Sequence, residues 1–277
     1  MAKDILEHSP TKTAAFFDLD KTIIATSSAL AFGREFMNKG YISLGDALQL
    51  SLAKASFMRV GQTSSQMDST RDQLAAMVAG WDVDEVSAIA SETLHSVVTP
   101  AVYAEARELI QFHKDSGHQV VIVSASEQNL VQMIAREMGI EHVVATELEV
   151  ADNKFTGRIL NYLKGPAKAE AIRAIVEEQD IDLASSYAYS DSATDIPMLN
   201  LVGNPVVVNP DRALRKFALE AGWDIRIFKD PIPLFNRTGT KSLGIGATVV
   251  AGAAALVLGW LWLIQKPSSS PTSATTA

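Results

Sequence analysis

The chain has 277 residues, no cysteine and a formal charge of −8, with 32 acidic side chains against 24 basic ones. That length buries a full core as one large domain or two modest ones, and the acidic balance excludes a protein that wraps nucleic acid, because phosphate backbones are bound mainly through Lys and Arg. Without cysteine there is no disulfide, thiolate nucleophile or Cys-ligated zinc, which suits a reducing compartment.

The first residues, MAKDILEHSPTKT, carry acids and no long apolar stretch, so they do not read as a secretory signal. Ala14 to Phe17 is a short apolar run that predicts a buried strand, and it ends directly in the acids of DLDKT. From about Ser27 to Val98 the segments ALAFGREFM, LGDALQLSLAKASFM, STRDQLAAMVAG and VDEVSAIASETL repeat apolar residues at three and four, which predicts a mainly helical block.

After Pro100 helices and strands alternate: helix AVYAEARELIQFHKDSG closed by Gly117, strand QVVIVSAS, helix NLVQMIAREMG and strand HVVATELEV. Asp152-Asn153 reads as a hairpin turn between TELEV and KFTGRI. Helix AKAEAIRAIVEEQ, strand SYAYSDS, helix PMLNLVG, strand PVVVN and helix DRALRKFALEAG complete the pattern. The alternation predicts an α/β fold with a doubly wound parallel sheet. Residues 1–25 and 99–235 form its core, and 26–98 form an all-helical cap inserted over the edge where such sheets bind ligands.

A linker, 236–242, then leads to LGIGATVVAGAAALVLGWLWLI, 243–264, which contains no charged residue. At 1.5 Å per residue it reaches about 33 Å, enough to span a hydrocarbon core of about 30 Å. Lys229, Arg237 and Lys241 precede it and only Lys266 follows, which leaves the large N-terminal part on the cytoplasmic side of a single-pass membrane protein. Trp260 and Trp262 sit near the far end, as interfacial aromatics do, and the polar tail 265–277 argues against a cleaved lipid-anchor signal. Ala247, Ala251, Ala255 and Gly259 form a small-residue stripe suited to pairing two spans as a homodimer, although Ala and Gly are common in spans generally.

The chemistry begins at Asp18 and Asp20. Side chains two apart on an extended segment share a side, and two carboxylates about 4 Å apart repel by roughly 4 kcal/mol at an effective dielectric of 20. A hard divalent cation such as Mg²⁺ offsets that repulsion; taken alone, the pair also reads as turn or cap acids. Ser124, Ala125 and Ser126 follow the strand VVIV, where a hydroxyl and backbone N–H groups at a helix start hold phosphate, or where a serine merely caps a helix. Lys168 sits in the first turn of a helix, where the dipole disfavours a cation; it is either a solvated lysine or one with a separate task. Asp191 and Asp195 follow another strand, Asp191 in the loop and Asp195 opening the helix ahead of Pro197. His113, His118 and His142 show no metal-ligand spacing and read as surface residues.

The order DxDxT, then Ser after a strand, then Lys, then a strand followed by SDxxxD resembles the haloacid dehalogenase-type phosphohydrolases over about residues 13–235. The helical insertion right after the first motif is similar to the phosphoserine phosphatase-like branch. The resemblance implies a Mg²⁺-dependent phosphomonoesterase. Asp18 would be the nucleophile that forms an aspartyl-phosphate, and Asp20 the acid and base. Thr22, Ser124, Ala125 and Lys168 would hold the phosphoryl group. Asp18, the Asp20 carbonyl and Asp191 would bind the metal, with Asp195 supporting them.

The segment TIIATSSALAFG has no acid before Glu35, where phosphoserine phosphatases place one against the substrate amine, and Ala125-Ser126 replaces their usual Gly-Gly. The substrate implied is therefore a small phosphorylated metabolite or a lipid-related phosphate. Phosphoserine itself, and a non-hydrolytic phospho-acceptor switch, stand as alternatives. Arg34, Arg59 and Arg71 are candidates to meet an anionic tail or are solvated helix residues.

Overall fold

A computed structural model describes residues 12–43, 45 and 75–229. The long uncharged segment 243–264, most of the second predicted cap helix, Arg59 and Arg71 lie outside the described residues, as does the Arg34 side chain. No helix among the described residues is long and apolar enough to cross a membrane.

Seven strands form one sheet in the order β4-β3-β2-β1-β5-β6-β7. They are β1 (Ala14–Phe17), β2 (Gln119–Glu127), β3 (His142–Ala151), β4 (Lys154–Asn161), β5 (Tyr187–Ser190), β6 (Asn204–Val208) and β7 (Asp224–Arg226). Neighbours run parallel except β3 and β4. The helices named among the described residues are α1 (Ser28–Asn38), α2 (Val83–Thr93), α3 (Ala104–Asp115), α4 (Gln128–Glu137), α5 (Pro166–Gln179), α6 (Ile196–Leu199) and α7 (Arg212–Ala221).

Strand β1 is buried on both faces, which is why AAFF alternates nothing polar. Ala15 and Phe17 join one apolar cluster and Ala14 and Phe16 the other, so the strand separates two cores. It also lies where the order reverses, with Phe17 level with Ile122 of β2 on one side and Tyr189 of β5 on the other. A chain leaving β1 there emerges into the crevice at the carboxyl ends of the strands, the usual ligand site of such sheets.

The predicted hairpin is present: Asp152 and Asn153 have φ of 51° and 60°, both left-handed, between the pair Ala151 and Lys154. That conformation matches a type I′ turn. The cap side is joined to the same hairpin, since Gly80 donates to the Phe155 carbonyl, Phe155 to Trp81 and Val83 to Asn153. Helix α2 is capped by Asp82, which accepts from the backbone of Asp84 and Glu85. A π-helical turn, Leu94–Val98, and a 3₁₀ turn, Thr99–Ala101, lead out of α2 toward α3.

Three readings need correction. The helix predicted over PMLNLVG is only the four-residue α6, preceded by a 3₁₀ turn at Ala193–Asp195. A seventh strand, β7, lies in a stretch where no strand was expected, because three residues give no periodicity to read. His113 is not a surface residue. It is fully buried, with its ring nitrogens 2.8 Å from His118 Nδ1 and 2.8 Å from the Tyr189 hydroxyl. It shares the inner face of α3 with Ala106 and Ile110, at the spacing that defines a buried helical stripe. His118 is partly buried and His142 exposed.

Candidate active site

At the carboxyl ends of β1, β2 and β5 a cavity of about 360 Å³ is lined by Asp18, Asp20, Ser124, Ala125, Lys168, Asp191 and Asp195. Seven of the eight residues singled out from sequence therefore meet in one place. The eighth, Thr22, is buried behind them and does not line the cavity; its hydroxyl has no hydrogen-bond partner.

Asp18 follows β1 directly, and its N–H extends the pairing to the Tyr189 carbonyl at 2.9 Å. The chain then turns sharply: the Leu19 carbonyl accepts from Thr22, Ile23 and Ile24, and Lys21 takes a left-handed φ of 60°. Both carboxylates of DLD thereby reach the cavity, with Leu19 fully buried between them.

Lys168 lies in the first turn of α5 and is 2 % exposed, so the solvated-lysine reading fails. Its ammonium donates to Asp18 Oδ1 at 2.6 Å and to Asp195 Oδ2 at 2.8 Å. Burial alone would discharge it, but the two carboxylates more than offset that and hold it above the ordinary lysine value. Ser190 Oγ also donates to Asp195 Oδ2, at 2.7 Å, so Asp195 is fixed from two sides and fixes the lysine in turn.

Asp20 is tied differently. Oδ1 accepts from the Ser28 N–H at 2.8 Å, at the start of α1, and Oδ2 from Ser27 Oγ and Ser126 Oγ, each at 3.3 Å. Ser28 Oγ and Ser126 Oγ are themselves 2.7 Å apart. One carboxylate thus joins the first motif, the first cap helix and the irregular end of β2.

Ser124 is not at a helix start as expected. Strand β2 continues to Glu127, with an irregularity between Ser124 and Glu127, and α4 begins at Gln128 under a Glu127 cap. Ser124 Oγ instead accepts from the Ser126 N–H at 3.1 Å inside that irregular turn, still facing the cavity.

The site is rich in negative charge. Burial pushes the Asp18 carboxyl up to about 7, Lys168 drawing it back only in part while Asp195 and Asp20 add to the rise. Burial likewise lifts Asp191 to about 6, opposed by Lys21, whose ammonium lies 3.9 Å away, and reinforced by Asp195 and Asp211. Two buried carboxylates held away from their charged forms are what a divalent cation would relieve. Asp18 Oδ2 takes no hydrogen bond among the described residues, and the donors implied by the resemblance, Asp18, Asp191 and the Asp20 carbonyl, are all hard oxygen, the kind of ligand Mg²⁺ takes. No group of three His, Cys, Asp or Glu side chains that could hold a metal gathers among the described residues.

Lys21, Lys164, Ser192, Thr194 and Asp211 also line the cavity without having been expected there. Lys164 had a readable signal, four residues before Lys168. Burial lowers its ammonium below the usual lysine value. Asp211 caps α7 through the Leu214 N–H and also accepts from Ala193, so it holds the loop after β5.

Residues 15–200 match the haloacid dehalogenase-like hydrolase family. A probable phosphatase of Mycobacterium tuberculosis is 47 % identical over 249 residues, covering 90 % of this chain and 87 % of that one. A phosphoserine phosphatase of the same organism is 36 % identical over 243 residues, covering 87 % of this chain and 77 % of that protein. Among solved structures, a Bordetella pertussis protein of unknown function superposes with a TM-score of 0.70 at 26 % identity, covering 81 % of this chain and all of that one. With the DLDKT loop, Ser124, Lys168 and Asp191 gathered at one sheet edge, the chain belongs to the haloacid dehalogenase-like hydrolases and is a phosphatase of that family.

Proposed function

We propose that this phosphatase is a Mg²⁺-dependent phosphomonoesterase that works through an aspartyl-phosphate on Asp18 and is anchored in the membrane by residues 243–264. The observation that supports it most directly is the buried Lys168 ammonium held on Asp18 Oδ1, with Asp18 Oδ2 left open.

In this reading Asp18 Oδ2 attacks phosphorus and the bond to the ester oxygen breaks. Asp20 gives that oxygen a proton and the alcohol leaves. Asp20, now ionised, takes a proton from water as the water oxygen attacks phosphorus, which frees Asp18 and releases inorganic phosphate. Lys168 and Ser124 hold phosphoryl oxygens, and Asp195 keeps Lys168 aimed. Asp18, Asp191 and the Asp20 carbonyl would hold Mg²⁺, which when bound neutralises charge between an anionic nucleophile and an anionic ester. Residues 1–25 and 99–235 serve as the catalytic core and 26–98 as a cap that covers it.

The test is phosphate release by the full-length protein with Mg²⁺ or EDTA, beside Asp18→Asn. Release that needs both the metal and Asp18 supports the reading, and metal-independent release by Asp18→Asn refutes it. The anchor is tested separately by alkaline extraction of membranes holding the full chain or a chain ending at residue 242. Retention of the first alone supports the span on the strength of its uncharged length, with the catalytic part on the cytoplasmic side.

A further inference from the structure

A second cavity, of about 270 Å³, lies under the cap helices and is lined by Phe32, Phe36, Trp81, Leu130, Leu148 and Phe155 among others. It adjoins the catalytic cavity: Ala125 lines both. Ser28 and Ser126 line the apolar one while bonding Asp20, which lines the polar one. The two cavities therefore lie on either side of the hydrogen bonds that Ser28 and Ser126 give to Asp20, the carboxylate that protonates the leaving oxygen in the mechanism above.

The hydroxyls of Ser28, Ser126 and Thr146 on this wall are already engaged. The Ser28 and Ser126 hydroxyls bond each other, and Thr146 Oγ1 donates to the Ala125 carbonyl at 2.8 Å. Glu127 is the only acid or base among its described lining residues, and its two oxygens accept the Asn129 and Leu130 N–H groups at 2.9 and 3.0 Å. An ammonium and a carboxylate placed there would lose water without gaining charged partners. A hydrocarbon group would gain by leaving water.

We propose that the substrate is a phosphate monoester of an apolar alcohol, whose hydrocarbon part leaves Asp20 past Ser28 and Ser126 and lies in this cavity. The inference rests on the phosphomonoesterase reading and names its substrate class. At roughly 30 Å³ per water-sized unit, a cavity of about 270 Å³ is filled by a chain of about nine carbons.

Gly33 supplies the test. It lies within α1 on the cavity wall, and a Cβ there meets no atom within 4 Å among the described residues. Gly33→Leu therefore adds a side chain at the cavity wall, where its Cβ meets none of the described residues, at a helix position where Leu is the better former.

The full-length protein in lipid nanodiscs, with Mg²⁺, is given ethyl, butyl, hexyl and octyl phosphate and phosphoserine. The expected result is kcat/KM rising about fourfold per methylene at first, with phosphoserine at or below ethyl phosphate. In Gly33→Leu the octyl-to-ethyl ratio falls at least tenfold while ethyl phosphate turnover is unchanged. A flat series, a preference for phosphoserine, or an unchanged ratio in Gly33→Leu overturns the inference and leaves the phosphatase standing, provided release still needs Asp18. No release from any ester overturns both.

Discussion

Lys168 Nζ lies 2.6 Å from Asp18 Oδ1, at 150 residues' separation in sequence, and both side chains are withdrawn from water. The contact positions the Asp18 carboxylate and leaves one ammonium to serve two acids, Asp18 and Asp195.

Lys168→Met follows from that arrangement. Removing the ammonium leaves two buried carboxylates without their cation, a change that costs about 3–5 kcal/mol. Protonating Asp18, whose carboxyl burial already raises, relieves part of the cost, so the deficit is larger at pH 7.5 than at pH 5. Urea unfolding of wild type and variant at the two pH values, without metal, measures it. Equal deficits at both would contradict the account. Turnover is lost at either pH.

Asp20→Asn keeps an oxygen to accept from the Ser28 N–H, which sits 2.8 Å from Oδ1, so the cap helix stays joined to the first motif. What is lost is proton transfer. Steady-state turnover drops about 10²–10⁴-fold, measured with an ester whose alcohol leaves poorly. A good leaving group restores the first step but not the second. A variant with near wild-type turnover on the poor leaving group would remove Asp20 from the acid–base role.

His113 makes stability depend on pH. Burial, then His118 and Arg226, lower its ring from 6.5 to about 4. Below 6.5 the unfolded chain takes up a proton that the folded chain refuses until about 4, so stability present above pH 6.5 is lost as the pH falls through that window. The loss is at most about 3.5 kcal/mol, at about 1.4 kcal/mol per pH unit. Asp18 and Asp191 act in the opposite sense, because their raised carboxyls favour the folded state at lower pH. The difference between wild type and His113→Phe, both free of metal, isolates the histidine. Parallel pH profiles for the two would contradict its buried neutral state.

Gly203→Ala tests the turn that leads into β6. A Cβ there would lie 1.9 Å from the Ala184 carbonyl oxygen, a backbone atom that cannot swing away. The Gly203 N–H also donates to the Leu183 carbonyl at 2.8 Å, so the two strands' loops are closed on each other. Overpacking of this kind costs about 1–3 kcal/mol or more, read as a lowered urea midpoint. An unchanged midpoint would show that the loops are free to part.

Much of this site was legible because its chemistry is local in sequence. AAFF before DLDKT marks a doubly buried strand opening onto acids, and Asp152-Asn153 marks the hairpin, since each rests on neighbouring residues. Lys168 was legible only through the order of the motifs. Its burial depends on Asp18 and Asp195, contacts that no helical periodicity reports. The serine loop was misjudged for the same reason: the register shift after Ser124 arises from pairing with β3, so β2 runs on to Glu127 and α4 begins later. His113 was legible and missed, since its spacing from Ala106 and Ile110 places it on the inner face of α3. The apolar cavity beside Asp20 is invisible in the sequence, because α1, β4 and the irregular end of β2 meet there only in the fold.

The central claim is that Asp18 becomes phosphorylated. It is tested by acid-quenching full-length Asp20→Asn during turnover of an ester with a good leaving group and mapping the phosphoryl group by peptide mass spectrometry. The account predicts one phosphoryl group on the peptide holding Asp18, absent when Asp18 is also changed to Asn and absent in EDTA. Phosphate release with Asp18 never labelled, or a label on another residue that persists in the double variant, would contradict it.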